Sequence, residues 1–247
     1  MTPLWQSFEP NVLVYNHRQG NDSAWTATLN RFRIGQVTEE DAAVLMSRKT
    51  DEPFLIEDAL HVFYRNVDVT KHNEKMLRTL QTPEVTIKAL KALPYGYKVT
   101  VSQIGIIDNT PFMDELNLKV GARISLVSNI CITDDLVNGT MGSIVAFEKN
   151  TKGEVYAVIV KFDDPKCGKR QRDAHPILSE KYKDVSGTPI FHYELEYQVC
   201  SSRGKSQAAR AKILQIPMRL AWAFTCHKVQ VSKLFEQTFL LRNLTTY

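Results

Sequence analysis

A chain of 247 residues, 43% hydrophobic and 23% charged, has the composition of an ordinary folded protein, enough for one large domain or two small ones. No apolar run nears the ~20 residues of a membrane span, the N-terminus carries neither a basic n-region nor an apolar h-region, and Cys131, Cys167, Cys200 and Cys226 are too scattered for a metal site or a disulfide framework. The expectation is an intracellular protein with reduced thiols and no membrane partner. Net charge is a mild +4, but residues 166–212 hold ten Lys/Arg against five Asp/Glu, which fits a polyanion such as nucleic acid as well as a solvated loop surface.

Taken in order, Asn11-Val-Leu-Val-Tyr-Asn16 predicts a short buried strand that runs into His17-Arg18-Gln19-Gly20. Asp22 or Ser23 can cap a following helix in which Trp25, Leu29 and Phe32 share a face and which Gly35 ends. Thr38-Glu-Glu-Asp41 opens another helix with a carboxylate three residues after the cap, and Ala42, Leu45 and Met46 are its expected buried face. Residues 60–66 read as a strand ending in polar groups. Residues 67–80 read as a helix with Asn73, Met76, Leu77 and Leu80 on one side, which completes an α/β unit. Residues 82–111, punctuated by Pro83, Pro94 and Gly96, read as a connector with one short element at most.

The pattern changes at Leu116. Residues 120–129 alternate like a strand, Asn138-Gly139 signals a tight turn, and strands follow over 141–148 and 155–162 with a turn at 150–153 between them. This succession predicts a small antiparallel β barrel or sandwich, which the alternating residues 191–199 would close. Ile213-Leu214-Gln215-Ile216 is a buried strand end. Pro217 fits the first turn of a helix, and Leu220, Ala223, Phe224 and His227 fall at helical spacing. Thr225, His227, Lys228 and Gln230 are then expected as polar tips held on a rigid element, or as the solvated end of an amphipathic helix.

Several arrangements could carry chemistry. Gly204-Lys205-Ser206 looks like the tail of a phosphate loop, but position 199 is Val where the motif needs Gly, and it reads as a basic surface loop. The pairs Asp134-Asp135 and Asp163-Asp164 could chelate magnesium, but they stand at strand ends where turn residues are expected. Arg18 follows a predicted strand directly, at the edge where ligands of α/β sheets bind. An arginine so placed either stabilises a transferring phosphoryl group or pairs with a surface carboxylate.

A set of ordered matches now accumulates. Asn16-His-Arg-Gln19, then Leu29-Asn-Arg-Phe-Arg-Ile-Gly35 with Thr38-Glu-Glu-Asp41, resembles the second motor domain of Pif-type DNA helicases, particularly the Helitron-transposon branch. So do Asn66 with His72-Asn73-Glu74-Lys75, Leu118-Lys-Val-Gly-Ala-Arg-Ile124 with Leu136-Val-Asn-Gly-Thr-Met-Gly142, Val160-Lys-Phe-Asp-Asp-Pro165, and Gln215-Ile-Pro-Met-Arg-Leu-Ala-Trp-Ala with His227-Lys-Val-Gln230. Order and spacing hold over residues 3–230.

The resemblance implies an α/β fold: a partial second RecA-like motor domain (1–115 and 200–247) carrying a small Src-homology-type β barrel as an insertion (116–199). It implies that Arg18 reaches ATP held on a first motor domain, that Gln230 also faces the nucleotide, and that Thr225, His227, Lys228 and Asn73 touch single-stranded DNA. ATP and Mg belong to the complete family enzyme. No nucleotide or metal ligand set is assigned to this chain alone, and its partners would be single-stranded DNA and the first motor domain. The implied location is nuclear or otherwise intracellular. The departures are equally specific. The 247 residues contain no phosphate loop and no Mg-binding acidic motif, Val231 stands where the family has Gly, residues 232–247 lack the Ala-Leu-Ser-Arg motif, so Arg242 receives no role, and Arg65 replaces the usual Thr. The expectation is a helicase segment that does not hydrolyse ATP by itself. The alternatives are an ATPase-inactive binding module for single strands or a decayed transposon-derived fragment.

Overall fold

The computed structural model describes residues 7–9, 22–47, 59–92, 112–199, 209–229 and 239–241. The chain divides into two compact units, Met1–Leu55 and Ile56–Tyr247. The strand expected at 11–16, Arg18, the Gly204-Lys205-Ser206 loop and Gln230 lie outside the described residues.

In the first unit, α1 (Ser23–Arg33) is capped by Asp22, whose carboxylate accepts the Trp25 N–H at 2.9 Å. A full capping box starts α2 (Glu39–Met46): the Asp41 N–H donates to the Thr38 hydroxyl at 3.2 Å and the Thr38 N–H donates back to the Asp41 carboxylate at 3.1 Å. The expected buried face of α2 is not buried within this unit; Leu45 is 43% and Met46 62% exposed. Asp41 is the buried residue instead, because it ties the two helices together. The Arg31 guanidinium donates to both of its oxygens at 2.6 and 2.7 Å and the Thr28 hydroxyl adds a third bond at 2.9 Å.

The second unit is built on a parallel sheet. Its centre is β1 (Leu60–Phe63), flanked by β12 (Ala223–Thr225) and β13 (Phe239–Leu241), both parallel to it. The helix α3 (Asn66–Thr79) follows β1, as the strand–turn–helix pattern predicts, and buries Asn73 and Leu77. The His72 ring packs against His61 and Phe63 of β1, with centroids 4.1 and 5.4 Å apart. The described part of the expected connector, residues 82–92, holds two strands, β2 (Glu84–Lys88) and β3 (Leu90–Ala92), where one short element at most is expected. β2 pairs antiparallel with β4 (Glu115–Lys119).

An antiparallel sheet then forms from β5 (Arg123–Leu126), β6 (Met141–Lys149), β7 (Val155–Phe162) and β8 (Thr188–Phe191), with β11 (Met218–Leu220) completing it on the β5 side. Two short helices, α4 (Lys169–Ala174) and α5 (Pro176–Lys181), precede β8. The order is β11-β5-β6-β7-β8, an open sheet among the described residues rather than a closed barrel. The strand expected to close it, β9 (Tyr193–Val199), pairs instead with β10 (Ala209–Gln215) in a separate sheet of order β3-β10-β9. Its alternation marks a half-buried strand but says nothing of its neighbour. Leu77, Ile87, Leu118, Ile124, Leu126, Val158 and Ile216 form one core joining α3, β2, β4 and the five-stranded sheet. Leu118 and Leu126, fully buried, each contribute roughly 1.5–3 kcal/mol by leaving water.

The aspartate pairs are turn and cap residues. The N–H groups of Arg170 and Gln171 donate to the Asp134 carboxylate at 2.9 Å each, which satisfies the start of α4. Arg123 forks onto Asp163 at 2.6 and 2.7 Å, and Asp164 accepts the Lys166 N–H. Cys131, Cys167 and Cys226 are free thiols. Among the described residues no helix is long and apolar enough to cross a membrane, and no group of three or more His, Cys, Asp or Glu is placed to hold a metal ion.

Candidate nucleic-acid interface

The segment after Gln215 does not form the long helix its spacing predicts. Pro217 is buried and its carbonyl accepts the Val127 N–H at 2.9 Å, which starts β11 as a partner of β5. β12 then inserts beside β1 in register His61↔Ala223, Val62↔Phe224 and Phe63↔Thr225. Among the described residues of this segment only Cys226–Val229 is helical, as the single turn α6. The apolar residues at i, i+3 and i+4 are thus shared between two short strands in different sheets. Tertiary pairing overrides the helical period here. Gln215 is fully buried; its amide donates to the Ile87 and Met113 carbonyls at 3.3 and 3.1 Å and accepts the Ile216 N–H at 2.8 Å.

Thr225 ends β12 and α6 begins at the next residue, so the polar tips stand at the C-terminal edge of a parallel sheet, where α/β folds take their ligands. A groove of about 520 Å³ opens there, walled by α3, β4, β11, β12 and α6. Asn73, Thr225 and Lys228 all line it. His227 does not; it is exposed, with its Nδ1 3.7 Å from the Cys226 sulfur. Three of the four predicted strand-contacting residues are therefore brought together from positions about 150 apart in the chain.

Asn73 has a second task. Its amide donates to the Ala223 carbonyl at 3.2 Å and accepts the Ala223 N–H at 2.9 Å. That clamp fixes the height of β12 against α3 and so positions Thr225 two residues on. Asn66 and Thr70 present further polar groups from the exposed side of α3. Of the carboxylates at the rim, Glu74 pairs with Arg78 at 3.6 Å and Glu115 with Lys88 at 3.3 Å, while Glu84 forms no ion pair among the described residues.

Sequence reasoning did not single out Arg219, which also lines the groove. It stands on β11 opposite Ser125, with its guanidinium 5.3 Å from the Phe224 ring centre. Burial pulls its pKa down to about 10, and among the described residues no acid counters the effect. The sequence does carry a signal for it: Arg219 is the lone charge in the run Ile216-Pro-Met-Arg-Leu-Ala-Trp-Ala-Phe224.

No family model matches. The ATP-dependent DNA helicase PIF6 of Trypanosoma brucei brucei is 23% identical over 93% of this chain and 26% of its own length. The ATP-dependent DNA helicase PIF1 of Xenopus laevis is 25% identical over 86% of this chain and 28% of its own length. Its relatives are Pif1-type DNA helicases. Solved Pif1 structures share the fold. Bacteroides sp. Pif1 in complex with ADP-AlF4 superposes with a TM-score of 0.61 at 18% identity over 92% of this chain and 44% of that one. Bacteroides Pif1 bound to ssDNA gives 0.54 at 19% identity over 88% and 42%. The chain spans about a quarter of the length of these two curated relatives.

Proposed function

We propose that this chain is the single-strand-contacting part of a Pif1-type, Helitron-like DNA helicase. On this reading residues 1–115 and 200–247 belong to a second RecA-like motor domain, and 116–199 are an inserted domain of the Src-homology barrel type. The five-stranded antiparallel sheet between β1 and β12 supports that division, although β11 contributes to it from beyond residue 199. Thr225, His227, Lys228 and Asn73 serve the DNA strand, with Asn73 also holding the strand that carries Thr225. Arg18 and Gln230 serve a nucleotide bound, with Mg, on a first motor domain. Both lie outside the described residues, and no phosphate-binding glycine loop occurs in the sequence, so no hydrolytic step is assigned to groups of this chain. The reading implies an intracellular, DNA-associated protein.

The observation that carries the proposal is the convergence of Asn73, Thr225 and Lys228 on one groove at the C-terminal edge of a parallel sheet. Cations and hydroxyls so placed hold phosphates by charge and position, and binding should fall with salt as counterions are released. The test is a titration of a fluorescent oligo(dT) with the full chain at two salt concentrations. Affinity should fall steeply with salt, and Lys228→Ala should flatten the dependence. Salt-independent binding, or none, would refute the assignment.

A further inference from the structure

Arg219 is in an unusual electrostatic position. Its Nε and Nη2 are shut off from solvent and make no hydrogen bond among the described residues. Among the described residues no carboxylate influences its charge, and the Phe224 ring lies against its guanidinium. With its pKa at about 10 it still carries its charge at neutral pH. Arg78 in the groove wall and Arg123 on the neighbouring strand β5 are both matched, by Glu74 and Asp163. A half-buried cation with no anion beside it among the described residues is costly, and charges of this kind are kept where a ligand completes the pairing.

The groove has the chemistry of a nucleotide's surroundings. Asn66, Thr70 and Thr225 offer polar groups, while Met113, which is 53% exposed, and Leu220 offer apolar surface against which a base or sugar can lie. The guanidinium supplies a fixed positive charge and, at Nη1, the nitrogen not shut off from solvent, N–H donors for a phosphate oxygen. Opposing this, Glu84 at the rim repels a polyanion, so the phosphate must sit toward the β11 side of the groove.

We propose that Arg219 is the anchoring cation of this groove and takes one phosphate of a single-stranded nucleic acid lying along it. This rests on the single-strand-binding reading above and adds a contact that none of the residues legible in the sequence supplies.

The test uses the full chain, a fluorescent oligo(dT) and a salt series, with Arg219→Gln and Arg219→Lys as variants. Arg219→Gln should weaken binding about tenfold and lower the magnitude of the log–log salt slope by about 0.7, the value for one single-strand phosphate contact. Arg219→Lys, which keeps the charge but not the planar guanidinium, should keep the slope and lose less affinity. The thermal midpoint of Arg219→Gln should equal or exceed that of the parent chain, because a half-buried charge with no anion beside it has been removed; a purely structural arginine would give a lower one. Should Arg219→Gln not fold, the Arg219 Nε resonance of the parent chain, assigned by its loss in Arg219→Lys, must shift on adding the oligonucleotide. If the parent chain binds and Arg219→Gln matches it in affinity and slope, or if the Nε resonance does not move, the inference fails alone. If the parent chain does not bind at all, the single-strand reading fails and takes the inference with it.

Discussion

Asn73 and Ala223 are 150 residues apart, and a single side-chain amide joins them by two hydrogen bonds. Because Asn73 is 6% exposed, water cannot replace those bonds when the amide is lost. Asn73→Ala should therefore destabilise the chain by about 1–3 kcal/mol, the cost of leaving buried backbone groups unpaired. Urea unfolding followed by circular dichroism would read this as a lower midpoint at unchanged slope. A change of less than about 0.5 kcal/mol, the range of an ordinary surface substitution, would deny Asn73 its clamping role. Cys167, by contrast, is buried among apolar neighbours that push its thiol pKa up to about 11, so it packs as a small hydrophobe rather than reacts.

At the scale of elements, two contacts set how neighbours lie. The first is the Arg31–Asp41 pair between α1 and α2. The hydrogen bond from Arg31, helped by the Thr38 and Thr28 groups, holds the Asp41 carboxyl well below the usual carboxylate range. A depressed folded-state pKa means the carboxylate's contribution is fully present above the unfolded value of about 3.9 and is lost as pH falls toward the folded value. The difference in urea midpoint between the parent chain and Asp41→Asn should be constant from pH 6 down to about 5 and shrink below about 4, where Asp41 of the unfolded parent chain begins to protonate. A difference that grew with acidity would contradict this. The second contact is at Gly142, where a Cβ would lie 2.6 Å from the Lys161 carbonyl oxygen and 2.8 Å from the Val160 side chain. β6 and β7 pair at that point, Gly142 opposite Phe162, so the clash is with backbone and cannot be relieved by a rotamer change. Gly142→Ala should cost about 1–3 kcal/mol by overpacking, while Gly139, which turns at φ 97° with open space around it, should respond through backbone strain alone. Comparing the unfolding midpoints of the two alanine variants and of the parent chain would check both; a Gly142→Ala midpoint equal to the parent's would rule out the close approach.

For the whole molecule, the decisive feature is that the chain leaves the parallel sheet after β1 and α3 and returns at β12 to lie directly beside β1. The long excursion between them carries three antiparallel sheets, and the groove forms where the returning strand meets the helix that left. Phosphoryl transfer is mostly positioning and charge stabilisation, and a chain without a phosphate-binding loop should not turn over ATP. The 247-residue chain is expected to give background ATP hydrolysis with and without single-stranded DNA. DNA-stimulated hydrolysis that Arg18→Ala abolishes would overturn this.

Local chemistry determined much that the sequence alone makes legible: the Asp22 cap and the Thr38–Asp41 capping box, the helix after Leu60–Phe63, the turn at Gly139, the strands β6 and β7, and the ordered matches to Pif-type helicases. These depend on groups a few residues apart, which the chain brings together whatever else it does. Tertiary structure decided the rest. The period of 3.6 over residues 217–228 predicts a helix, yet Pro217, Met218 and Leu220 serve β5 while Ala223 and Phe224 serve β1, because burial in two sheets outweighs one local spacing. The alternation of β9 could not say which sheet it joins, and α2 buries a salt-bridged aspartate in place of its apolar residues. Nor could the linear order reveal that Asn73, Arg219, Thr225 and Lys228 share one groove. Their meeting depends on strand pairing across some 150 residues, and that long-range closure is what the sequence does not state.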